Sequence, residues 1–398
     1  MNDCSCGRHR RRRASIAGLS LVAALFAFAA VVTASVPDRA GDAARGGVAL
    51  AAGTGLSVSK PIGVKPPSGD FYSYAPSVME EGDTRRVFYC GNSESGKVHD
   101  HVMMSVGTKS GGKWTYGAPR VAFGPEQAPA WSNYHTCDPE VLRGQFTWNG
   151  HTYPWAVFFT AYGCQVQTAP CPSGKETPNQ LGVAFSDSLD APPSGWKVYP
   201  TPLVSYQEEF GAKCAYDAYC VGQPSATSID GAGRFLLFYQ GKDGFVRREV
   251  NLANVAQPVL GAPMVLPGNG LPDWLHNGSL VYSPDRDRFF VAYDSGLWNK
   301  DPNGPPVQTN TVIASIDGSA IWNGTGTWRT EDTVTPAHSG HAFNHNPGLV
   351  RTPAGTTASS TGLEVVHTVA NGWTPSGGWG VWTYRLWSNT LPLAPAGN

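Results

Sequence analysis

The sequence predicts an all-β fold, a five-bladed β-propeller with four antiparallel strands in each blade. Three observations predict it: a similar opening motif occurs five times, short runs of aromatic and β-branched residues follow each copy, and turn-forming residues separate the runs. The 398 residues include 47 glycines and 32 prolines, which is too rich in turn formers for a helical bundle.

The composition also limits the class of partner. Lys and Arg number 29, Asp and Glu number 30, and the formal net charge is −1. A nucleic acid is therefore not an expected partner, because its binding needs a basic surface. Hydrophobic residues make up 41% of the sequence, a content that excludes a disordered chain.

The first 34 residues predict a secretory signal peptide. Residues 10–13 are basic, residues 16–32 are apolar, and residues 32–34 are small, as a cleavage site requires. A retained membrane anchor is the alternative, because the apolar run is near the lower length limit of a membrane span. Residues 35–55 are predicted to form a flexible leader and residues 56–398 a single propeller domain. We expect a secreted, extracellular monomer that leaves the membrane once the signal is cleaved.

Six cysteines follow the signal, which favours an oxidising compartment. Four of them form two closely spaced pairs, Cys164 with Cys171 and Cys214 with Cys220. Both spacings suit local disulfides. Cys90 and Cys137 are then left to pair, which requires that their segments be neighbours in the fold. Two buried free thiols are the alternative for this last pair.

The opening motifs recur at irregular intervals of 54 to 85 residues. They are Tyr74-Ala75-Pro76-Ser77-Val78, Cys137-Asp138-Pro139-Glu140-Val141, Gly222-Gln223-Pro224-Ser225-Ala226, His276-Asn277-Gly278-Ser279-Leu280 and His345-Asn346-Pro347-Gly348-Leu349. The second strands are predicted at residues 86–90, 153–159, 234–239, 288–293 and 363–367. The third strands are predicted at residues 102–106, 181–185, 245–250, 311–315 and 381–384.

A fourth run follows in the early blades, with Trp114, Trp196 or Trp328 near its start. The last unit is short of a fourth strand, and residues 55–59 are predicted to supply it and close the ring. A pair of β-sandwiches is the alternative architecture.

Propeller geometry predicts which residues share a face. The opening motifs, the loops after the second strands and the linkers before each motif should line one mouth. The candidates for catalysis there are Asp138, Asp294, Asp100 and His101. The candidates for substrate binding are Tyr74, Asn92, His135, Gln223, His276, Asn277, His345, Asn346 and Trp298. Polar groups flanked by aromatic rings suit a carbohydrate, whose C–H faces stack and whose hydroxyls need donors and acceptors.

Two stretches carry a resemblance to a known family. The Asp138-Pro139-Glu140-Val141 motif, together with residues 186–196, resembles family 43 glycoside hydrolases and related five-bladed furanosidases. Residues 75–102 are also similar to secreted actinobacterial proteins described as β-xylosidases. The resemblance extends over residues 70–390 and implies a glycoside hydrolase acting on pentose-containing polysaccharide.

The resemblance also implies three carboxylates on the propeller axis. The family is expected to use an Asp base from the first blade, an orienting Asp from the second and a Glu acid from the third. Asp138 matches the second position. Ala75 occupies the first and can accept no proton, and Gln223 stands where the acid is expected, although an amide cannot act as a general acid.

Three functional hypotheses remain open. In the first, displaced carboxylates support hydrolysis around Asp138; these are Asp70, Asp100, Asp273, Asp294, Glu208, Glu209 and Asp217. In the second, the protein binds a glycan without cleaving it. In the third, a metal-assisted reaction uses the mouth histidines, which are His135, His276, His341 and His345. No cofactor is required by the first two hypotheses, and calcium or another cation on the axis stays open.

Several of these residues have an ordinary structural alternative. Asp138 could cap a turn beside Pro139, and Glu140 could hold a neighbouring blade. Gln223 could make blade-to-blade hydrogen bonds, and Asp294 could belong to a turn.

Overall fold

The computed structural model describes residues 55–164, 171, 175–211, 214, 220–272, 275–298, 308–371 and 380–395, which lie in one compact unit, Leu50–Asn398. The predicted signal peptide and the leader up to residue 54 lie outside these residues, as do Asp217, Asp273 and Trp274. Within the described part of the chain, no helix is long and apolar enough to cross a membrane.

The predicted all-β architecture is confirmed: five antiparallel sheets form the blades. Strand β1 is Lys60–Pro61. The first blade contains β2–β6, at Tyr74–Glu81, Thr84–Asn92, Asp100–Ser110, Lys113–Tyr116 and Arg120–Phe123. The second contains β7–β10, at His135–Trp148, His151–Tyr162, Gln180–Ser186 and Lys197–Val198. The third contains β11–β15, at Gly222–Ser228, Arg234–Gly241, Gly244–Asn251, Val259–Leu260 and Met264–Val265.

The last two blades complete the ring. The fourth contains β16–β19, at His276–Ser283, Arg288–Trp298, Gln308–Asp317 and Arg329–Val334. The fifth contains β20–β22, at Phe343–Leu349, Gly362–Ala370 and Arg385–Pro392. Among the described residues, three short α-helices lie between strands: α1 at Tyr206–Phe210, α2 at Gly318–Asn323 and α3 at Pro336–Ser339.

The fifth blade takes its outer strand from the start of the described chain, as predicted. The strand β1 pairs antiparallel with β22, with Lys60 opposite Ser388. Regular pairing begins just after the predicted segment 55–59, within which the Ser57 N–H donates to the Thr390 carbonyl at 3.0 Å. This latch joins the two ends of the described chain in one sheet.

One predicted strand is wrong. The third strand of the fifth blade is β22, which pairs along β21 from Val369–Arg385 to Gly362–Pro392, and not residues 381–384. Gly380–Thr383 forms a 3-10 helix instead. The aromatic residues of this run have the composition of a strand, but Trp382 and Tyr384 pack against Tyr72 and not along a blade.

The hydrophobic core lies between the blades. The apolar clusters of the described residues each join two neighbouring blades, and together they link first to second, second to third, third to fourth, fourth to fifth and fifth to first. Side chains alternate between the two faces of a strand, so Val87 packs toward the fifth blade and Phe88 toward the second. Because both faces of a second strand are buried, these strands are apolar at consecutive positions.

The propeller axis is held by polar contacts between the inner strands. The ion pair of Glu140 and Arg351 is buried there, with side chains 3% and 1% exposed. Glu140 also accepts hydrogen bonds from Ser77 Oγ of the first blade at 3.0 Å and from the Ala226 N–H of the third blade at 2.8 Å. Glu140 therefore bonds to neighbouring blades, which is the structural alternative that the sequence left open for it.

Two serines continue this axial layer around the ring. Ser225 Oγ accepts from the Leu280 N–H of the fourth blade at 2.9 Å. Ser279 Oγ accepts from the Leu349 N–H of the fifth blade at 3.0 Å and from Arg351 Nη2 at 2.9 Å. Each contact crosses from one blade to the next.

A histidine without hydrogen-bond partners is buried in the fifth blade. His367 on β21 is 0% exposed, and neither ring nitrogen has a partner among the described residues. Burial lowers the pKa of His367 to about 3, and nearby His345, His341 and His338 add to the effect. The ring is therefore neutral in the folded protein near neutral pH.

We predict that Glu140→Ala lowers the free energy of unfolding by about 3–5 kcal/mol, because the buried Arg351 loses its counter-charge. Urea denaturation followed by tryptophan fluorescence measures the loss. Glu81→Ala is the matched control, since Glu81 pairs with Arg143 on the surface and such pairs contribute under about 1 kcal/mol. Similar losses in the two variants would contradict a special role for the axial pair.

His367 should make the fold sensitive to acid. Below pH 6.5 the unfolded chain takes up a proton at this histidine and the folded chain does not, so stability falls as pH drops toward 3. Between pH 7 and pH 5 this contributes a loss of about 2 kcal/mol. The difference between the two pH values should shrink by that amount in His367→Phe and remain in the exposed control His151→Phe. An unchanged pH dependence in His367→Phe would contradict the prediction.

Candidate functional site

The five opening motifs share one unusual backbone conformation. The second residue of each motif has a positive φ: Ala75 at 47°, Asp138 at 45°, Gln223 at 55°, Asn277 at 55° and Asn346 at 44°. The strand pairing shifts register at the same point of every inner strand, as in a β-bulge. Such left-handed residues cost about 1–3 kcal/mol each and are kept where the surrounding fold imposes them.

The repeated bulge brings these five residues around one opening on the axis, and we call them the axial ring. They line a depression of about 320 Å³, its open mouth included, together with the residues that follow them. The other lining residues are Pro76, Pro139, Glu140, Pro224, Gly278, Ser279 and Pro347. Residues from all five opening motifs therefore line one depression.

Three blades are linked through ring side chains. The Gln223 carboxamide donates to Asn277 Oδ1, and the Asn277 N–H donates to Gln223 Oε1 at 2.5 Å. Asn277 Nδ2 donates to Asp294 Oδ2 at 2.5 Å. The other oxygen, Asp294 Oδ1, accepts from the Asn346 N–H at 2.7 Å. Asp294, which is 2% exposed, thus lies behind the ring and orients it.

Asp138 supplies the ring's carboxylate and is half-buried. It lies against the Cys90–Cys137 disulfide, which joins the first and second blades with a Cα–Cα distance of 5.1 Å. The Asp138 N–H points at Cys90 Sγ at 2.9 Å. The other two predicted disulfides, Cys164–Cys171 and Cys214–Cys220, are also present.

A second carboxylate, Asp100, lies on the mouth side of the first blade. His135 Nδ1 lies 2.6 Å from Asp100 Oδ2, and Tyr72 Oη donates to Asp100 Oδ1 at 2.6 Å. Burial alone would raise the pKa of Asp100, but the charge of His135 and the hydrogen bonds from His135 and the tyrosines Tyr72 and Tyr74 bring it below the ordinary value. Asp100 therefore stays ionised at neutral pH.

Two other predicted residues are engaged elsewhere on this side of the molecule. His101 is 1% exposed and its Nε2 lies 2.9 Å from Glu126 Oε1. Asn92 is fully buried at the end of β3, where its Nδ2 donates to Asp70 Oδ2 at 2.7 Å and its Oδ1 accepts from Ser68 Oγ at 2.6 Å. Its amide therefore holds the segment before β2, and Asn92 is not part of the site proposed below.

Aromatic side chains form one wall beside the ring. The Tyr74 ring packs against Tyr72 with centroids 5.4 Å apart and against Tyr384 at 5.6 Å. The half-buried Trp382 lies 5.5 Å from Tyr72, and His345 lies 4.8 Å from Tyr384. The sequence analysis placed Trp382 in a strand and did not consider it as a site candidate; its ring contact with Tyr72 brings it to this wall.

The remaining predicted residues fall into two groups. His276 and Trp298 belong to described strands, but their side chains lie outside the described part of the structure. Trp131, in the linker before β7, stacks on Phe159 with ring centroids 6.1 Å apart, in the core between the first two blades. His341 Nδ1 lies 2.6 Å from Asn371 Oδ1, away from the depression's lining.

Comparison with known proteins supports the fold assignment. No protein-family model matches the chain, and no curated protein matches it. The catalytic domain of a family 62 α-L-arabinofuranosidase from Coprinopsis cinerea is similar in structure, with a TM-score of 0.51 and 14% identity, over 84% of this chain and 96% of that one.

Two further solved structures give the same result. A family 43 glycoside hydrolase from Xanthomonas citri has a TM-score of 0.50 and 14% identity, over 85% of this chain and 91% of that one. The β-xylosidase RS223 has a TM-score of 0.50 and 13% identity, over 85% of this chain and 97% of that one. At these identities the likeness shows the shared five-bladed fold.

The Cys90–Cys137 disulfide should contribute more to the free energy of unfolding than the short-range disulfide Cys164–Cys171 does. It closes a sequence separation of 47 residues against 7 for Cys164–Cys171, so loop entropy predicts losses of about 4 and about 2.5 kcal/mol when each pair is replaced by alanines. Chemical denaturation of the two double variants, Cys90→Ala/Cys137→Ala and Cys164→Ala/Cys171→Ala, tests this order. A larger loss from the Cys164 pair would contradict it.

Proposed function

We propose that this protein is an exported carbohydrate-active propeller that binds a pentose-containing saccharide in the axial depression. The observation that carries the proposal is the axial ring. One backbone distortion, repeated in every blade, directs a carboxylate, two asparagines and a glutamine toward a common centre. Carboxylates and carboxamides satisfy sugar hydroxyls, which need both donors and acceptors.

The aromatic wall supports the same class of ligand. Tyr74 packs against Ala75 of the axial ring. The half-buried Trp382 packs in the same aromatic cluster as Tyr74 and adds a second aromatic face. Aromatic faces pack against the C–H face of a sugar ring, while the polar groups fix its orientation. The choice of a pentose rests on the neighbours of the same fold, which are described as an arabinofuranosidase and a β-xylosidase. Export is supported by the three disulfides, which form in oxidising compartments.

The ring chemistry favours recognition over hydrolysis as the primary function. A glycosidase of the usual kind needs two carboxyl groups flanking the scissile bond. Among the described residues that line the depression, the carboxylates are Asp138 and Glu140. Glu140 is paired with the buried Arg351 and points into the axial layer. Ala75 and Gln223 occupy the positions where the family resemblance places a base and an acid.

Hydrolysis is the second candidate function, and a specific observation favours it. Asp100 lies on the mouth side of the first blade and is held in place by hydrogen bonds from His135 and Tyr72. In this candidate function, Asp100 acts with Asp138 across a bound sugar. Both oxygens of Asp294 are already bonded to Asn277 and Asn346 behind the ring.

We expect arabinoxylan and xylan oligosaccharides to bind the wild-type protein, and Asp138→Ala to weaken binding about 10- to 100-fold, because a hydrogen bond to a charged group is lost. Isothermal titration calorimetry measures the affinity. Asp187→Ala is the control, since Asp187 is exposed, pairs with His151 and does not line the depression. Unchanged binding in Asp138→Ala would contradict the proposed site.

Hydrolysis is tested on the same samples. Wild-type protein is incubated with the oligosaccharides and with aryl pentosides, and the products are separated by anion-exchange chromatography. Recognition without cleavage predicts intact oligosaccharides. Release of pentose that disappears in Asp138→Asn, with the melting temperature unchanged, would make hydrolysis the function instead.

A further inference from the structure

A second cluster of ligand-type side chains lies apart from the axial ring. His99 and His101 flank Asp100 at the start of β4 in the first blade, and Glu126 lies in the 3-10 helix Pro125–Gln127 of the linker to the second blade. One ligand atom from each of the three side chains lies within 4.8 Å of the other two. We propose that His99, His101 and Glu126 form a binding site for a divalent transition-metal ion of the zinc class.

The distances suit a single ion. Zinc bonds of about 2.0–2.2 Å to imidazole nitrogen and carboxylate oxygen place tetrahedral ligand atoms roughly 3.4 Å apart. His101 Nε2 and Glu126 Oε1 are 2.9 Å apart, so a small opening of this pair admits an ion between them. Glu126 is exposed and can make that movement by side-chain rotation.

A backbone hydrogen bond orients the His101 imidazole for metal binding. Its Nδ1 lies 3.0 Å from the backbone carbonyl of His99, which can only accept, so Nδ1 carries a proton and donates it. The other nitrogen, Nε2, faces the Glu126 carboxylate, and a metal ion would take the place of the proton shared between them. A carbonyl partner on the other nitrogen is the arrangement that orients metal-bound histidines.

The backbone leaves room for the site. A Cβ at Gly124 would lie 2.1 Å from His101 Cδ2 and 2.8 Å from Glu126 Oε2, so a side chain at this position would occupy the space between the ligands. Ser93 Oγ, 3.3 Å from His101 Nε2, adds a hydroxyl at the edge. His101 itself is fixed by burial and by its pairing with Gly91 in the sheet.

The ligand set defines the class of ion. Two imidazoles and one carboxylate suit zinc and its neighbours, whereas calcium and magnesium prefer oxygen ligands throughout. Three protein ligands leave a fourth position for water or a ligand hydroxyl. The ion would join the first blade to the linker that leads into β7, where the rings of Tyr134 and His135 lie 5.7 and 5.8 Å from the His99 ring.

The test uses the full folded chain without a histidine tag. After dialysis against chelator, the wild type is titrated with zinc chloride by calorimetry and with cobalt(II) by visible absorption. We expect one equivalent of zinc at micromolar or tighter affinity, a tetrahedral cobalt spectrum, and no competition from millimolar calcium. Zinc should also raise the melting temperature.

Variants locate the site. Glu126→Gln and His99→Ala, both at side chains that are not fully buried, should weaken zinc binding at least 10-fold and remove the cobalt spectrum. His151→Ala, which alters an exposed histidine paired with Asp187, should leave both unchanged. The proposal is overturned if the wild type binds no zinc, or if binding survives Glu126→Gln, or if it is lost only in His341→Ala. Sugar binding is measured separately, so failure here leaves the axial site unaffected.

Discussion

The structure depends on the polar layer that closes the propeller axis. Glu140 and Arg351 form a buried ion pair, and the same carboxylate reaches a serine of the first blade and a backbone amide of the third. Burying two charges is costly, and the cost is offset only when further hydrogen bonds satisfy both groups. Here those bonds run from blade to blade, so the ion pair also sets how the inner strands approach one another. The hydrophobic clusters between blades then pack around a fixed centre.

The candidate site is a consequence of that centre. The bulge that turns Asp138 toward the mouth lies two residues before Glu140 on the same strand, and Asn277 stands in the same relation to Ser279. In each of these strands, Glu140 or Ser279 makes the contacts of the axial layer, and the residue two positions earlier belongs to the axial ring. Strained left-handed residues persist in every blade because contacts on both sides of the bulge hold the strand in place. The surface of the depression thus inherits its rigidity from the packing beneath it.

Much of the fold could be predicted from local patterns. The five motifs and the apolar runs indicated the blades and their ring, and the cysteine spacings indicated the disulfides. Each of these features depends on residues that are close together in sequence. What could not be predicted depends on residues that are distant in sequence. The run around Trp382 has the composition of a strand, but the Trp382 ring packs against Tyr72 of the first blade. Glu140 was offered a role in holding a neighbouring blade, but its partner Arg351 belongs to no motif and could not be identified. Asn92 stays a site candidate whose amide bonds to Asp70.

The amide chain of the third and fourth blades has a fixed polarity. Asp294 Oδ2 accepts from Asn277 Nδ2, so the Asn277 oxygen faces Gln223, whose carboxamide donates to it. One carboxyl group thereby fixes the orientation of two carboxamides. A hydroxyl that arrives on that side meets a preset order of donor and acceptor, and a ligand with the opposite order would place donor against donor.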